Sequence, residues 1–298
     1  MKLSDRIKKS IVLSSLSAIA RLPMGMLYRL SDFINFILRR VLHYRHRVID
    51  SNLKACFPEK NDDERLAIKH EFYRHLSDLI VESVKLLHIS DKQLDKRIEV
   101  VGADLVDECA AQGIPVMLYL GHYGNWEWVQ DISRFYVSDI ESYYVYKPLH
   151  DRVSDQIFMA IRNRFDALGI EQKGVARALL RMRAEKKNFI VGFIADQRPN
   201  NDHSPARVSF LGRPTDFFIA AEPIGVRLGA RHLYLDVEKT SRGHYRFTFK
   251  PIVPTDTETD YPITKEYFKM LEETIRRQPP YWLWSHDRWK YSNNLLKH

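Results

Sequence analysis

The chain has 298 residues, of which 45% are hydrophobic, and its 46 basic and 38 acidic side chains give a formal net charge of +8. The 12 glycines and 13 prolines are too few for a disordered or fibrous chain. The two cysteines are too few for a disulfide scaffold or a cysteine-rich metal site. An uncharged apolar stretch of about 18 residues is absent, which excludes a multi-pass membrane protein. The positive charge favours a polyanionic partner: nucleic acid, an anionic membrane surface, or an acidic protein or substrate.

The N-terminal residues combine a basic start with interrupted apolar runs. Residues 11–20 are apolar, and further apolar positions continue to residue 38, but charges at Arg21 and Asp32 interrupt them. Because charges are costly in hydrocarbon, we expect residues 1–45 to form a membrane-anchoring segment of two helical pieces in the interface, with a basic cluster at 39–47. A secretory signal peptide and a soluble amphipathic helix pair are the alternatives.

Strands and helices alternate along the rest of the chain. Helices are predicted at residues 61–88, 103–112, 150–168, 174–186, 219–228 and 263–277, and Ser90 with Gln93 predicts the start of a further short helix. Strands are predicted at residues 98–101, 115–120, 142–146, 189–194, 232–238 and 245–251. The apolar runs at 115–120 and 189–194 are typical of central strands that are covered on both faces. The sequence therefore predicts an α/β fold, with a mostly parallel central sheet flanked by helices, in one domain over residues 46–298.

In open α/β sheets, ligands bind beyond the carboxyl ends of the strands, which selects His122 and residues 196–197. Glu127 follows His122 by five residues, a spacing that would turn the two side chains apart on one continuous helix. They can meet if His122 lies in a turn that Gly121 and Gly124 permit and Glu127 begins the next helix. A carboxylate on one imidazole nitrogen then makes the other nitrogen a general base for a substrate hydroxyl.

Metal and cofactor chemistry is not favoured. A metal site would draw on His203, His286 and Asp196, but these residues have no ligand spacing, so no metal is expected. The chain also has no nucleotide-binding glycine fingerprint, no phosphate-cradling loop and no serine nucleophile elbow. We expect no cofactor.

The residues around this turn resemble a known family. Gly-His-Tyr-Gly-Asn-Trp-Glu at residues 121–127 is similar to the His-x4-Asp/Glu motif of the bacterial lipid A biosynthesis acyltransferases, relatives of the glycerolipid acyltransferases. Further similar blocks occur in the same order, at residues 52–59, 146–148, 162–164, 195–197, 210–212 and 281–290. The resemblance extends from about residue 45 to residue 290.

The resemblance implies a glycerolipid acyltransferase-like fold and transfer of a fatty acyl chain from acyl carrier protein to a hydroxyl of a lipid A precursor, at the cytoplasmic face of the inner membrane. It implies that His122 is the general base and Glu127 its partner. Substrate binding is implied for Arg162 and Arg164, which would bind a phosphate, and for Asp196, Tyr146 and Lys147. Lys147 stands where the family more often has an arginine, and a lysine cannot bind an anion through two parallel hydrogen bonds as a guanidinium does.

Two groups of side chains each have two interpretations. The basic residues at 177–187 suit an acidic carrier protein, or are a solvated helix face. Trp282, Trp284 and Trp289 either sit at the bilayer interface or pack the last helix.

Two other functions are alternatives to lipid A acylation. One is acylation of a glycerophospholipid or aminolipid. The non-enzymatic alternative is a basic nucleic-acid-binding protein, but no nucleic-acid-binding signature supports it, and we expect no nucleic-acid partner.

Overall fold

The computed structural model describes residues 3–148, 151, 155–156, 159, 162, 167–199, 206–219 and 221–290. The helices among them are α1 (Leu3–Ala20), α2 (Met24–Phe36), α3 (His46–Cys56), α4 (Asp62–Lys85), α5 (Asp91–Leu94), α6 (Asp104–Ala111), α7 (Val175–Ala184), α8 (Ala221–Leu228) and α9 (Pro262–Arg277). The strands are β1 (Ile98–Val101), β2 (Val116–Leu120), β3 (Glu141–Tyr146), β4 (Leu168–Glu171), β5 (Phe189–Ile194), β6 (Arg207–Phe210), β7 (Arg213–Asp216), β8 (Arg231–Ser241) and β9 (His244–Pro251).

Seven strands form one sheet in the order β1-β9-β8-β2-β5-β3-β4. The pairs β8–β2, β2–β5, β5–β3 and β3–β4 are parallel, whereas β8 and β9 form an antiparallel hairpin. All five residues of β2 are buried, as the continuous apolar run predicted, because both faces of the strand are covered. The predicted α/β class with a mostly parallel central sheet is confirmed.

The N-terminal helices pack against α4 through polar contacts. The Lys85 ammonium donates hydrogen bonds to the carbonyls of Ala20 and Leu22, each at 2.9 Å, and the Tyr28 hydroxyl donates to Glu82 at 3.0 Å. In the described part of the chain, no single helix has the length and hydropathy to cross a membrane. One pair, Ile7–Ala20 with Met24–Val41, meets that criterion jointly, and the two helices are bent by 117°.

The structure adds elements that the sequence pattern did not indicate. These are α3, the edge strand β4 and the antiparallel hairpin of β6 and β7. Most of the predicted helix at 150–168 lies outside the described residues, so its outcome stays open. The three C-terminal tryptophans are at most 2% exposed, which confirms that they pack the core and contradicts a position at the bilayer interface.

Candidate active site

Strand pairing joins the two strand-end positions that the sequence selected. β2 and β5 are parallel neighbours with Leu120 opposite Ile194. The turn that contains His122 therefore leaves β2 at the same edge where β5 runs into Asp196. The two residues are 74 positions apart in the sequence, so their proximity follows from the sheet and not from local spacing.

Asp196 holds the His122 side chain. The carboxylate Oδ1 lies 2.6 Å from Nδ1 of His122, while Oδ2 accepts hydrogen bonds from the His122 backbone N–H at 2.9 Å and the Trp282 indole N–H at 2.8 Å. The side chain of Asp196 is 2% exposed and that of His122 is 17% exposed. A carboxylate on Nδ1 selects the tautomer that is protonated there, which leaves Nε2 as a proton acceptor within reach of solvent.

The carboxylate of Asp196 is ionised despite its burial. Desolvation by itself raises the pKa of Asp196, but the adjacent imidazole and the hydrogen bonds from His122 and Trp282 lower it to about 2. The negative charge is therefore present throughout the neutral pH range. It stabilises the imidazolium that forms when Nε2 takes up a proton.

Gln197 and Trp126 surround the imidazole. The Gln197 amide nitrogen lies 3.1 Å from Nε2 of His122, and its N–H donates to that nitrogen in the tautomer that Asp196 selects. The Trp126 ring meets the imidazole edge to face, with 5.3 Å between the ring centroids. A hydroxyl that approaches Nε2 must therefore displace the Gln197 amide.

Two glycines allow the turn to pass close to its neighbours. A Cβ atom on Gly121 would lie 2.7 Å from a methyl carbon of Leu271, and one on Gly124 would lie 2.6 Å from a methyl carbon of Val237. Gly124 also has a φ of +59°, a conformation that side chains disfavour. Gly124 is therefore disfavoured for any side chain by its backbone conformation, whereas the contact at Gly121 is with the flexible end of Leu271. The sequence predicted that these two glycines permit the turn.

A buried carboxylate on α4 holds the turn from its other side. Glu82 is fully buried and accepts hydrogen bonds from the Asn125 amide at 2.8 Å, the Tyr245 hydroxyl at 2.8 Å and the Tyr28 hydroxyl at 3.0 Å. Desolvation raises the pKa of Glu82, and nearby Lys239 partly offsets this effect. The same side chain thus connects helix α2 to the turn that carries His122.

Glu127 binds Arg162 and not His122. Its carboxylate accepts two hydrogen bonds from the Arg162 guanidinium, from Nε at 3.1 Å and from Nη2 at 2.7 Å. The predicted contact between His122 and Glu127 is therefore replaced by two separate pairs. Glu127 directly precedes a 3₁₀ helix at Trp128–Phe135, and from this position its side chain reaches the arginine. Nδ1 of the imidazole is bound to Asp196 instead.

An apolar cleft lies beside the turn, lined by residues of β2, β3 and β5 and of the Trp128–Phe135 segment. Its volume is about 90 Å³, and Leu118, Leu120, Ile190 and Ile194 line it together with Trp126, the Glu127–Arg162 pair and other residues. Trp126 contacts both the imidazole and the cleft, so a chain in the cleft would end beside His122.

The other predicted site residues lie further along the sheet. Tyr146 is the last residue of β3, which is separated from β2 by β5. The ring centroids of Tyr146 and Tyr144 are 6.0 Å apart, and the Arg162 guanidinium lies over the ring of Tyr144. Lys147 is exposed just beyond this strand, and Arg164 lies outside the described residues. Sequence reasoning missed the role of Trp282, which no local pattern signals.

A His–Asp pair at the carboxyl edge of a mostly parallel α/β sheet, beside an apolar cleft, can activate a hydroxyl next to a bound apolar chain. The sequence model of the bacterial lipid A biosynthesis acyltransferases matches residues 2–291, and the chain belongs to this family. Membership supports an enzyme that carries out acyl transfer in lipid A biosynthesis.

Curated relatives agree with this assignment. The chain is 22% identical to a lipid A biosynthesis lauroyltransferase from Escherichia coli K12, over 91% of this chain and 88% of that protein. It is 26% identical to a lipid A biosynthesis palmitoleoyltransferase from Escherichia coli K12 and to a lipid A biosynthesis acyltransferase from Shigella flexneri, each over 91% of this chain and 87% of that protein.

Proposed function

We propose that this protein transfers a fatty acyl chain from acyl carrier protein to a hydroxyl of a lipid A precursor, with His122 as the general base and Asp196 as its orienting carboxylate. The 2.6 Å contact between Nδ1 and Oδ1 is the observation that carries the proposal. It leaves Nε2 as the basic nitrogen at the end of an apolar cleft. Family membership supports the reaction class.

The chemistry requires one proton to move twice. Nε2 of His122 takes the proton of the acceptor hydroxyl while the hydroxyl oxygen attacks the thioester carbonyl carbon. The tetrahedral intermediate collapses, the carbon–sulfur bond breaks, and the imidazolium returns the proton to the leaving thiolate. Asp196 stays ionised and stabilises the imidazolium between the two transfers.

Glu127 has a positioning role in this mechanism. It holds the Arg162 guanidinium in the wall of the cleft, where the acyl chain and its thioester would lie. Because Arg162 already pairs with a carboxylate, its net contribution to binding a phosphate is small. This differs from the orienting role of Glu127 that the family resemblance implied.

The protein would act at the cytoplasmic face of the inner membrane, with residues 1–45 as its anchoring segment and residues 46–298 as the catalytic domain. Large apolar side chains are exposed in the N-terminal segment at Ile7, Ile11, Met26, Phe33, Phe36, Val41 and Leu42. Arg40, Arg45 and Arg47 are exposed close to them. Apolar side chains beside cationic ones suit an anionic membrane surface.

The donor would dock on the exposed basic face of α7. Arg177, Arg181 and Arg183 are exposed there, and an acidic carrier protein is complementary to this charge. The exposed side chain of Lys187 just beyond the helix is partly balanced by Glu141, 3.1 Å away.

Mass spectrometry of the lipids from a deletion strain tests the function directly. We expect lipid A that lacks one acyl chain, restored by the wild-type gene and not by the His122→Ala variant. Unchanged lipid A together with a missing acyl chain on a phospholipid or aminolipid would refute the acceptor. Purified protein with acyl carrier protein thioesters of several chain lengths then identifies the donor.

A further inference from the structure

A second cavity opens on the polar side of the catalytic turn. Its volume is about 340 Å³, and the residues that line it are Tyr44, Arg45, Arg198, Leu283, Ser285, His286, Asp287 and Lys290. They come from three separate stretches of the chain, namely the end of the N-terminal segment, the loop after β5 and the C-terminal segment. The lining is polar, in contrast to the apolar cleft beside the strands.

The cavity is connected to the catalytic pair at two points. Arg198 follows Asp196 by two residues in the loop after β5. The Leu283 backbone N–H donates a hydrogen bond to the His122 carbonyl at 3.1 Å, one residue beyond Trp282, which binds Asp196. A group bound in the cavity would therefore lie next to the base.

The charge of the lining suits a phosphate. Among the described residues that line it, Arg45, Arg198 and Lys290 contribute three positive charges and Asp287 contributes one negative charge. Burial lowers the pKa of His286 to about 4, so this ring is neutral at pH 7 and offers hydrogen bonds without charge. A phosphomonoester carries about −1.5 to −2 at pH 7, which this lining would neutralise. Arginine also matches phosphate oxygens in a two-pronged geometry.

The position of the cavity indicates which phosphate it takes. Tyr44 and Arg45 come directly after the exposed apolar side chains of Phe36, Val41 and Leu42. A headgroup whose acyl chains are in a bilayer would meet the protein at this point. The phosphodiester of a carrier-protein arm would instead approach from the protein's docking face.

We infer that the cavity between Arg45, Arg198 and Lys290 is a phosphate-binding subsite, and that the phosphate belongs to the lipid acceptor. This inference rests on the proposed function, because it presumes a phosphorylated lipid whose hydroxyl reaches His122. The subsite replaces Arg162 as the anchor for the acceptor phosphate, since that guanidinium is bound to Glu127.

Steady-state kinetics test the subsite. Arg45→Gln with Lys290→Gln removes two exposed charges, and Arg227→Gln with Arg231→Gln is the matched control on exposed positions of α8 and β8. We expect the first pair to raise the KM for the phosphorylated acceptor about tenfold or more, with the KM for the acyl donor unchanged, and the control to change neither. An acceptor from which the phosphate has been removed should lose most of this difference between wild type and variant.

Other kinetic outcomes would overturn the inference. A rise confined to the donor KM would assign the cavity to the phosphodiester of the carrier arm. An unchanged acceptor KM, or an equal effect in the control pair, would show that the cavity binds no specific phosphate.

A binding measurement separates this inference from the proposed function. Wild type and variants are sedimented with phosphatidylcholine vesicles that contain either phosphatidic acid or phosphatidylglycerol, matched in surface charge. We expect wild type and the control pair to prefer the phosphomonoester lipid, and the Arg45→Gln, Lys290→Gln variant to lose that preference, even if transfer to lipid A precursors is never seen. Equal binding to both vesicle types by wild type would refute the subsite while leaving the acyltransferase intact.

Discussion

Asp196 and Glu127 are two nearly buried carboxylates near the same turn, and they have different partners. Asp196 binds Nδ1 of His122 at 2.6 Å, whereas Glu127 binds the Arg162 guanidinium at 2.7 Å. The first pair can take up and release a proton because the free nitrogen of an imidazole accepts one, and the second cannot because a guanidinium stays charged. The comparison indicates that the carboxylate closest to a histidine in sequence need not be the one that orients it.

The largest expected effect tests whether the imidazole acts at all. His122→Ala should lower the transfer rate about 10²–10⁴-fold, because the hydroxyl loses its general base. Initial rates with saturating donor and acceptor measure this, with His244→Ala, at the start of β9, as the matched control. Full activity in a folded His122→Ala protein would remove the mechanism.

Asp196→Asn asks whether this carboxylate is the orienting group. We expect a loss of about 10²-fold or more, because the amide neither selects the tautomer nor stabilises the imidazolium. The acid limb of the kcat/KM profile should move to lower pH, since the imidazolium has lost its counter-charge. Asp196 itself, with a pKa of about 2, stays ionised across the profile. An unmoved limb would contradict the assignment.

Glu127→Gln should have a smaller effect, near tenfold, because it weakens a charge-assisted pair that is remote from the proton transfer. The acid limb should stay where it is in wild type. The double variant Glu127→Gln, Arg162→Gln should lose no more than the worse single variant, because both changes break one interaction. A shifted acid limb would return the orienting role to Glu127.

The smallest effect on turnover is expected from the third carboxylate, Glu82. Glu82→Gln should lower the free energy of unfolding by about 1–3 kcal/mol, since the amide cannot accept from Asn125, Tyr245 and Tyr28 together. Burial raises the pKa of Glu82 in the folded state above the ordinary value of a glutamate. The free energy of unfolding of the wild type should therefore fall as pH rises from that ordinary value to the raised pKa. The Glu82→Gln variant lacks this decline, so the difference in unfolding free energy between wild type and variant becomes smaller as pH rises.

Urea unfolding at several pH values measures the effect, with Tyr28→Phe as a control that removes one of the three donors. A difference in stability that does not vary with pH would show that Glu82 is ionised in the folded state. A variant as stable as wild type at every pH would contradict its role in holding the turn.

Much of the fold could be predicted from local patterns. The strand at Ile98–Val101 and the strand at Phe189–Ile194 have the predicted bounds, because short apolar runs between turns leave little choice of structure. The edge strand β4 and the hairpin of β6 and β7 were not predicted, because a four-residue strand with mostly exposed or half-buried side chains has no periodicity to detect.

The sequence by itself determined the α/β class, the two strand ends that carry functional groups, and the glycines that the turn needs, because each of these follows from local polarity and backbone freedom. The tertiary structure alone decided which carboxylate meets the imidazole, since Asp196 reaches His122 only through the register of β2 with β5. It also decided that the C-terminal tryptophans are core residues and that Arg45, Arg198 and Lys290 share one cavity. Contacts between distant segments depend on how the layers pack, and a single sequence does not reveal that packing.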